Sequence, residues 1–231
     1  MNSIPAPYNI TNDNAIMLLF ILNIVSIAFV FTMNGTNILE RIKYVFYYGS
    51  HQTPFNARTH ISNLSNALLY LQTILYSTII TIEYLKNEGL MEPAKGSLPY
   101  LAVFSLLFAA VIVIKYAGYY IINSILFAQR AVKEWQHVYF FTIKLLGFMF
   151  TPAIIAILFI PAISFGFVKA YLAIILVAYL YTVISNIIKI IFARNINILD
   201  IFLYLCTIEF LPALFVWKFI LQLNEFITIK I

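Results

Sequence analysis

Long apolar runs broken by short polar clusters set the pattern of this chain. Residues 15–33 form the first run, which carries no charge. A helix rises about 1.5 Å per residue and a bilayer core is about 30 Å thick, so about 20 apolar residues cross it. Five further runs approach or exceed that length, at residues 64–85, 99–121, 138–160, 169–192 and 199–221. Asn12, Asp13 and Asn14 stand where a cap for the first helix belongs, and Gly35 where its stop belongs. The longest polar stretch, residues 34–63, has Ile38, Leu39, Ile42, Val45 and Phe46 at helical spacing. That spacing predicts an amphipathic helix at 37–48 in the membrane interface, followed by a loop. Gly89, Pro93 and Gly96 mark the second connection, a basic loop with Arg130, Lys133, Glu134 and Trp135 the third, and Pro161 and Gly166 the fourth. The expected fold is all-α: a polytopic membrane protein of about six transmembrane helices, with residues 1–231 as a single membrane domain. The connections leave no room for a soluble catalytic domain. No repeat of 20 to 50 residues and no inverted symmetry between the halves is visible.

Composition narrows the class. The chain is 63% hydrophobic and 10% charged, against about 45–50% and about 25% in soluble domains. That balance excludes a soluble globular domain, a disordered tail and a nucleic-acid-binding module. The net charge of +5 comes from 14 basic and 9 acidic residues and reads as basic loops held on one side of a membrane. With six spans, Lys86, Lys95, Lys169 and Lys230 fall on the side of the termini. Arg41, Lys43, Arg58, Arg130, Lys133, Lys189 and Arg194 fall opposite, seven against four. The more basic side is expected in the cytoplasm, which puts both termini in the periplasm and the protein in a bacterial inner membrane. Residues 1–14 hold no Lys or Arg, so the first run is expected to be a retained span and not a signal peptide. The single Cys206 lies in an apolar run and excludes an internal disulfide framework and a cysteine zinc cage.

Ionisable groups inside spans are costly and mark functional candidates. Glu209 lies near the middle of the last predicted span, three residues before Pro212, which cannot donate a backbone hydrogen bond. Lys115 and Lys144 each lie about 7 Å from their span centres at helical rise, toward the expected cytoplasmic side. Either amine has the reach to pair with Glu209 if the helices are neighbours. The candidate set is therefore Glu209, Lys115, Lys144 and Pro212, as a structural ion pair, a proton or ion relay, or a partner-helix contact. Asp200 suits the first turn of its helix, where the dipole favours a carboxylate. Glu83, Lys189 and Lys218 lie near span ends, where snorkelling explains them. His51, His60 and His137 lack metal-binding spacing, and no phosphate loop, nucleophile elbow or aspartate-rich motif is present. No cofactor, metal site or catalytic residue is expected. Tyr44, Tyr47, Tyr48, Tyr100 and Tyr139 are expected in an interfacial belt. Tyr116, Tyr119 and Tyr120, beside Lys115, are expected in helix packing, with the lining of a polar pocket as the alternative.

The run Leu203-Tyr204-Leu205-Cys206-Thr207-Ile208-Glu209-Phe210-Leu211-Pro212, followed by Lys218, resembles the C-terminal signature of a Bacteroidota family of multi-span inner-membrane proteins with a domain of unknown function. Tyr44 to Tyr48, Asn66 to Leu75 and the Lys115 helix leading to Phe127 are similar to it in the same order. The resemblance implies an inner membrane and no assigned activity. The expectation is a non-enzymatic subunit or scaffold of a cell-envelope complex. Its partners would be membrane lipids and other envelope membrane proteins, and no nucleic acid. The alternatives are a small proton- or ion-coupled transporter using Glu209, and a lipid-modifying enzyme using the histidines.

Overall fold

A computed structural model describes residues 14–46, 61–90, 97–126, 129–160, 165–192, 209 and 211–230. Among the described residues the chain is all-α, with six helices: α1 (Asn14–Phe46), α2 (Asn63–Asn87), α3 (Ser97–Leu126), α4 (Gln129–Phe159), α5 (Phe165–Phe192) and α6 (Leu211–Lys230). The first five are long and apolar enough to cross a membrane. His51, His60, Asp200, Cys206 and the Lys189 side chain lie outside the described residues.

α1 does not stop at Gly35. Its backbone leaves helical geometry at Asn34 (φ −139°, ψ 17°) and resumes as a second limb. The Asn34 side chain donates to Ser65 Oγ at 2.7 Å, which ties the kink to the start of α2. The stretch predicted as an interfacial helix, 37–48, is this second limb as far as Phe46; Tyr47 and Tyr48 lie outside the described residues. Its Ile38 and Val45 are buried with Ile61, Leu69, Val138 and Phe141 in an apolar core.

Local signals account for the ends of α2. Ser62 caps it, its Oγ accepting from Ser65 N at 3.3 Å. Gly89 at φ +68° closes its C-terminus, with Leu90 N donating to Leu85 O at 2.9 Å. Only a residue without Cβ takes that φ at no cost. Pro99 stands in the first turn of α3, where its missing N–H costs nothing. The predicted basic loop at 130–135 is instead the first turns of α4. No glycine or proline interrupts residues 119–146 after Gly118, so nothing local prevents the charged turns from being helical. α6 likewise continues past residue 221 to Lys230.

α2 and α4 form the centre. They pack most heavily on each other, α2 also meets α1 and α3, α4 meets α5, and α3 meets α6. Burial follows this order: 50% of the apolar window of α4 and 44% of that of α2 lie inside, against 22%, 17% and 22% for α1, α3 and α5. The α2–α4 crossing is tight at Gly147, where an added Cβ would lie 2.7 Å from Thr73 Oγ1 and 3.3 Å from its backbone. Another core gathers Ile16, Phe20, Tyr76, Ile79, Ile82, Leu85, Tyr100 and Phe104 at the opposite end of the bundle from that one. The periphery is apolar: Leu106 and Val113 on α3, Ile174, Val177 and Tyr181 on α5, and Leu214 and Phe215 on α6 all point outward. Such a surface is unfavourable in water and neutral in lipid. These are the helices of a multi-pass membrane protein.

Candidate functional site

Lys115 and Tyr119 are four residues apart on α3 and therefore share one face. That face meets Glu209, just before α6. Lys115 Nζ donates to Glu209 Oε2 at 2.7 Å, an ion pair whose side chains are 16% and 7% exposed. Tyr119 donates its hydroxyl to Glu209 Oε1 at 2.5 Å. From α5, the Tyr179 hydroxyl lies 3.4 Å from Glu209 Oε2 and 3.2 Å from the Tyr139 hydroxyl. Tyr139 on α4 accepts from Lys115 Nζ at 2.9 Å. Both carboxylate oxygens are thus occupied, and one buried anion ties α3 and α5 directly and α4 through Tyr139.

Aromatic rings wall this network. Tyr119 and Tyr139 have centroids 4.4 Å apart, and Phe140 lies edge-on to both, at 6.2 Å and 5.3 Å. The low-polarity wall raises the cost of leaving either charge unpaired. Glu209 itself has π-helical geometry, a widened turn that occurs at functional or strained points. Pro212 follows in the first turn of α6, where proline is tolerated.

Beside the network lies a cavity of about 520 Å³ between α2, α3, α4, α5 and α6. Lys115, Tyr179 and Pro212 border it, with Phe108, Phe150 and Leu172 among its apolar lining. Thr73, Ser77 and Thr81 on its α2 wall each spend their hydroxyl hydrogen on the carbonyl four residues back. The wall is therefore poor in free donors, and polar groups concentrate at the Lys115 end.

The structure brings Lys115, Glu209 and Pro212 together and puts Lys144 elsewhere. Lys144 donates to Asn66 Oδ1 at 2.7 Å and sits 4.7 Å from the Tyr70 ring centroid. Lys144 points to α2, so it is not a partner of Glu209. Tyr139 and Tyr100 were expected in an interfacial belt, and both are fully buried. Tyr119 belongs to the polar network and not only to packing, whereas Tyr116 and Tyr120 face outward. Tyr139 and Tyr179 are network members that no sequence signal marks. Near span ends Tyr139 resembles any belt tyrosine, and no spacing signal links Tyr179 to Glu209. Among the described residues two further charged pairs lie away from the network: Lys169 with Glu88, and Lys86 with Glu83 at 3.6 Å. Among the described residues no three His, Cys, Asp or Glu side chains converge as metal ligands.

The family model described as "Domain of unknown function (DUF4271)" matches residues 16–220, which include the whole network. No curated protein and no solved structure matches the chain.

Proposed function

For this chain, which belongs to the DUF4271 family, we propose the role of a non-enzymatic membrane subunit or scaffold that binds other envelope proteins through its spans. The observation that carries this reading is the Glu209 carboxylate, both of whose oxygens are held by neighbouring side chains. It accepts from Lys115 and Tyr119 and lies within reach of Tyr179. A clamp needs its oxygens held, as they are. The clamp leaves the apolar faces of α3, α5 and α6 turned outward, where partner spans or lipid cover them. In this reading the protein lies in the inner membrane of a Bacteroidota bacterium. Both termini face the periplasm, and the basic connections face the cytoplasm. Purification in a gentle detergent followed by mass spectrometry tests it. Co-purifying membrane proteins at stoichiometric yield are expected. Recovery of the chain alone at every expression level would refute it.

A second reading, a small proton- or ion-coupled transporter, is favoured by one observation: the cavity of about 520 Å³ that reaches Lys115 and Tyr179. Ligand sites commonly have volumes of about 300–1,000 Å³. Replacing Glu209→Gln separates the two readings. A transporter keeps its stability and loses its activity, whereas a clamp loses stability.

A further inference from the structure

The cavity among the helices suits one kind of molecule. Along α3 it runs from Phe108 to Lys115, seven residues and about 10 Å at helical rise. The hydroxyl hydrogens on its α2 wall, those of Thr73, Ser77 and Thr81, are spent on carbonyls of their own helix. A trapped water needs two to four polar partners, and a sugar or amino acid needs more. This wall serves neither. A void of about 520 Å³ is costly, because the cost grows with its volume. An apolar occupant is therefore favoured.

The lining also shows the way in. Leu176 on α5 is 57% exposed, and Ala213 in the first turn of α6 is exposed too. Both border the cavity, so it opens sideways between α5 and α6. These two helices are not among the pairs that pack closely on each other. In a bilayer such an opening faces lipid, and a long tail can stay outside. The inner end is different. An ammonium has three donors. Lys115 Nζ gives one to Glu209 Oε2 at 2.7 Å and one to the Tyr139 hydroxyl at 2.9 Å. The third has no partner among the described residues, and Lys115 borders the cavity. The Tyr179 hydroxyl has a single hydrogen, which is directed at Tyr139 and Glu209. The polar end thus offers one donor. Glu209 already balances the lysine charge, and an entering anion would meet that carboxylate. A neutral acceptor fits, and a carbonyl is one that an apolar molecule can carry.

We propose that this cavity binds a neutral lipophilic carbonyl compound, which enters from the bilayer between α5 and α6 and accepts a hydrogen bond from Lys115. A quinone head and a long-chain ester are two sources of that chemistry. Binding of this kind requires neither transport nor a partner protein, so it stands or falls apart from the roles proposed above. The test uses the full chain, purified in detergent and stripped of lipid. Thermal unfolding is followed while a short-tailed naphthoquinone, methyl palmitate or hexadecane (a chain without a carbonyl) is titrated at equal mole fractions in the micelle. A saturable rise in midpoint is expected with a carbonyl probe. Its half-saturation should lie at least about tenfold below that of any rise with hexadecane, the worth of one hydrogen bond to a charged group. A rise with the quinone alone or the ester alone identifies the source, and a rise with both shows that the carbonyl suffices; each supports the site. Ala213→Phe at the mouth and Ser77→Phe inside should each weaken half-saturation at least about tenfold by filling the space. If a variant fails to fold, the other variant and the hexadecane comparison carry the test. No rise with either carbonyl probe would overturn the site. So would a rise with hexadecane at the same concentrations, or a parental response in both variants.

Discussion

The tight α2–α4 contact at Gly147 makes a quantitative prediction. Gly147→Ala adds a Cβ that would lie 2.7 Å from Thr73 Oγ1 and 3.3 Å from Thr73 Cα and N. The hydroxyl cannot simply turn aside, because it donates to Leu69 O at 2.9 Å and approaches Ile143 O at 3.4 Å. The backbone contacts cannot move without separating α2 from α4. Overpacking of this kind costs about 1–3 kcal/mol. Removing a glycine from a helix returns about 1 kcal/mol, so the net loss is up to about 2 kcal/mol. Gly118→Ala on α3 is the matched control, since nothing lies within 4 Å of its added Cβ. It should gain up to about 1 kcal/mol. Unfolding in mixed detergent micelles, followed by far-ultraviolet circular dichroism, measures both. Adding Thr73→Ala to Gly147→Ala should recover only part of the loss, because the two 3.3 Å backbone contacts remain. If Gly147→Ala is as stable as Gly118→Ala, the α2–α4 crossing is not as close as described and the reasoning fails.

Three further outcomes are expected. Asn34→Leu removes the 2.7 Å bond to Ser65 at the α1 kink and should cost about 1 kcal/mol in the same unfolding assay. Tyr139→Phe deletes the hydroxyl that accepts from Lys115 and should cost about 0.5–1.5 kcal/mol, while Tyr116→Phe on the outer face of α3 should be silent. Lys169→Gln breaks an exposed pair with Glu88 and should leave the unfolding midpoint unchanged; a clear drop would show that this pair is shielded from solvent.

Much of the fold was legible because a spanning helix needs an unbroken apolar run, and such runs cannot hide. The ends were less legible. Residues 129–137 of α4 and 222–230 of α6 are charged or mixed, and polar turns look alike whether they are helical or not. Within the site, Lys115 and Tyr119 announce a shared face through their spacing of four. Which lysine meets Glu209 is not a matter of spacing, because Lys115 and Lys144 lie at equal depth in their predicted spans. It depends on which helices are neighbours, and α3 brings Lys115 to Glu209 while α4 turns Lys144 toward Asn66. The tyrosine partners depend on the same choice. Tyr139 reads as a belt residue until α3 and α5 close over it.

The clamp on Glu209 is tested most directly by a double-mutant cycle with Lys115→Met and Glu209→Gln, read as unfolding free energy in micelles. Each single variant leaves one buried charge or its donors unanswered and should cost about 3–5 kcal/mol. The double variant should be more stable than the sum of the two losses predicts, with a coupling of about 1–3 kcal/mol. Strict additivity, or a Glu209→Gln protein as stable as the parent, would show that the 2.7 Å pair is not what holds α3 to the last helix.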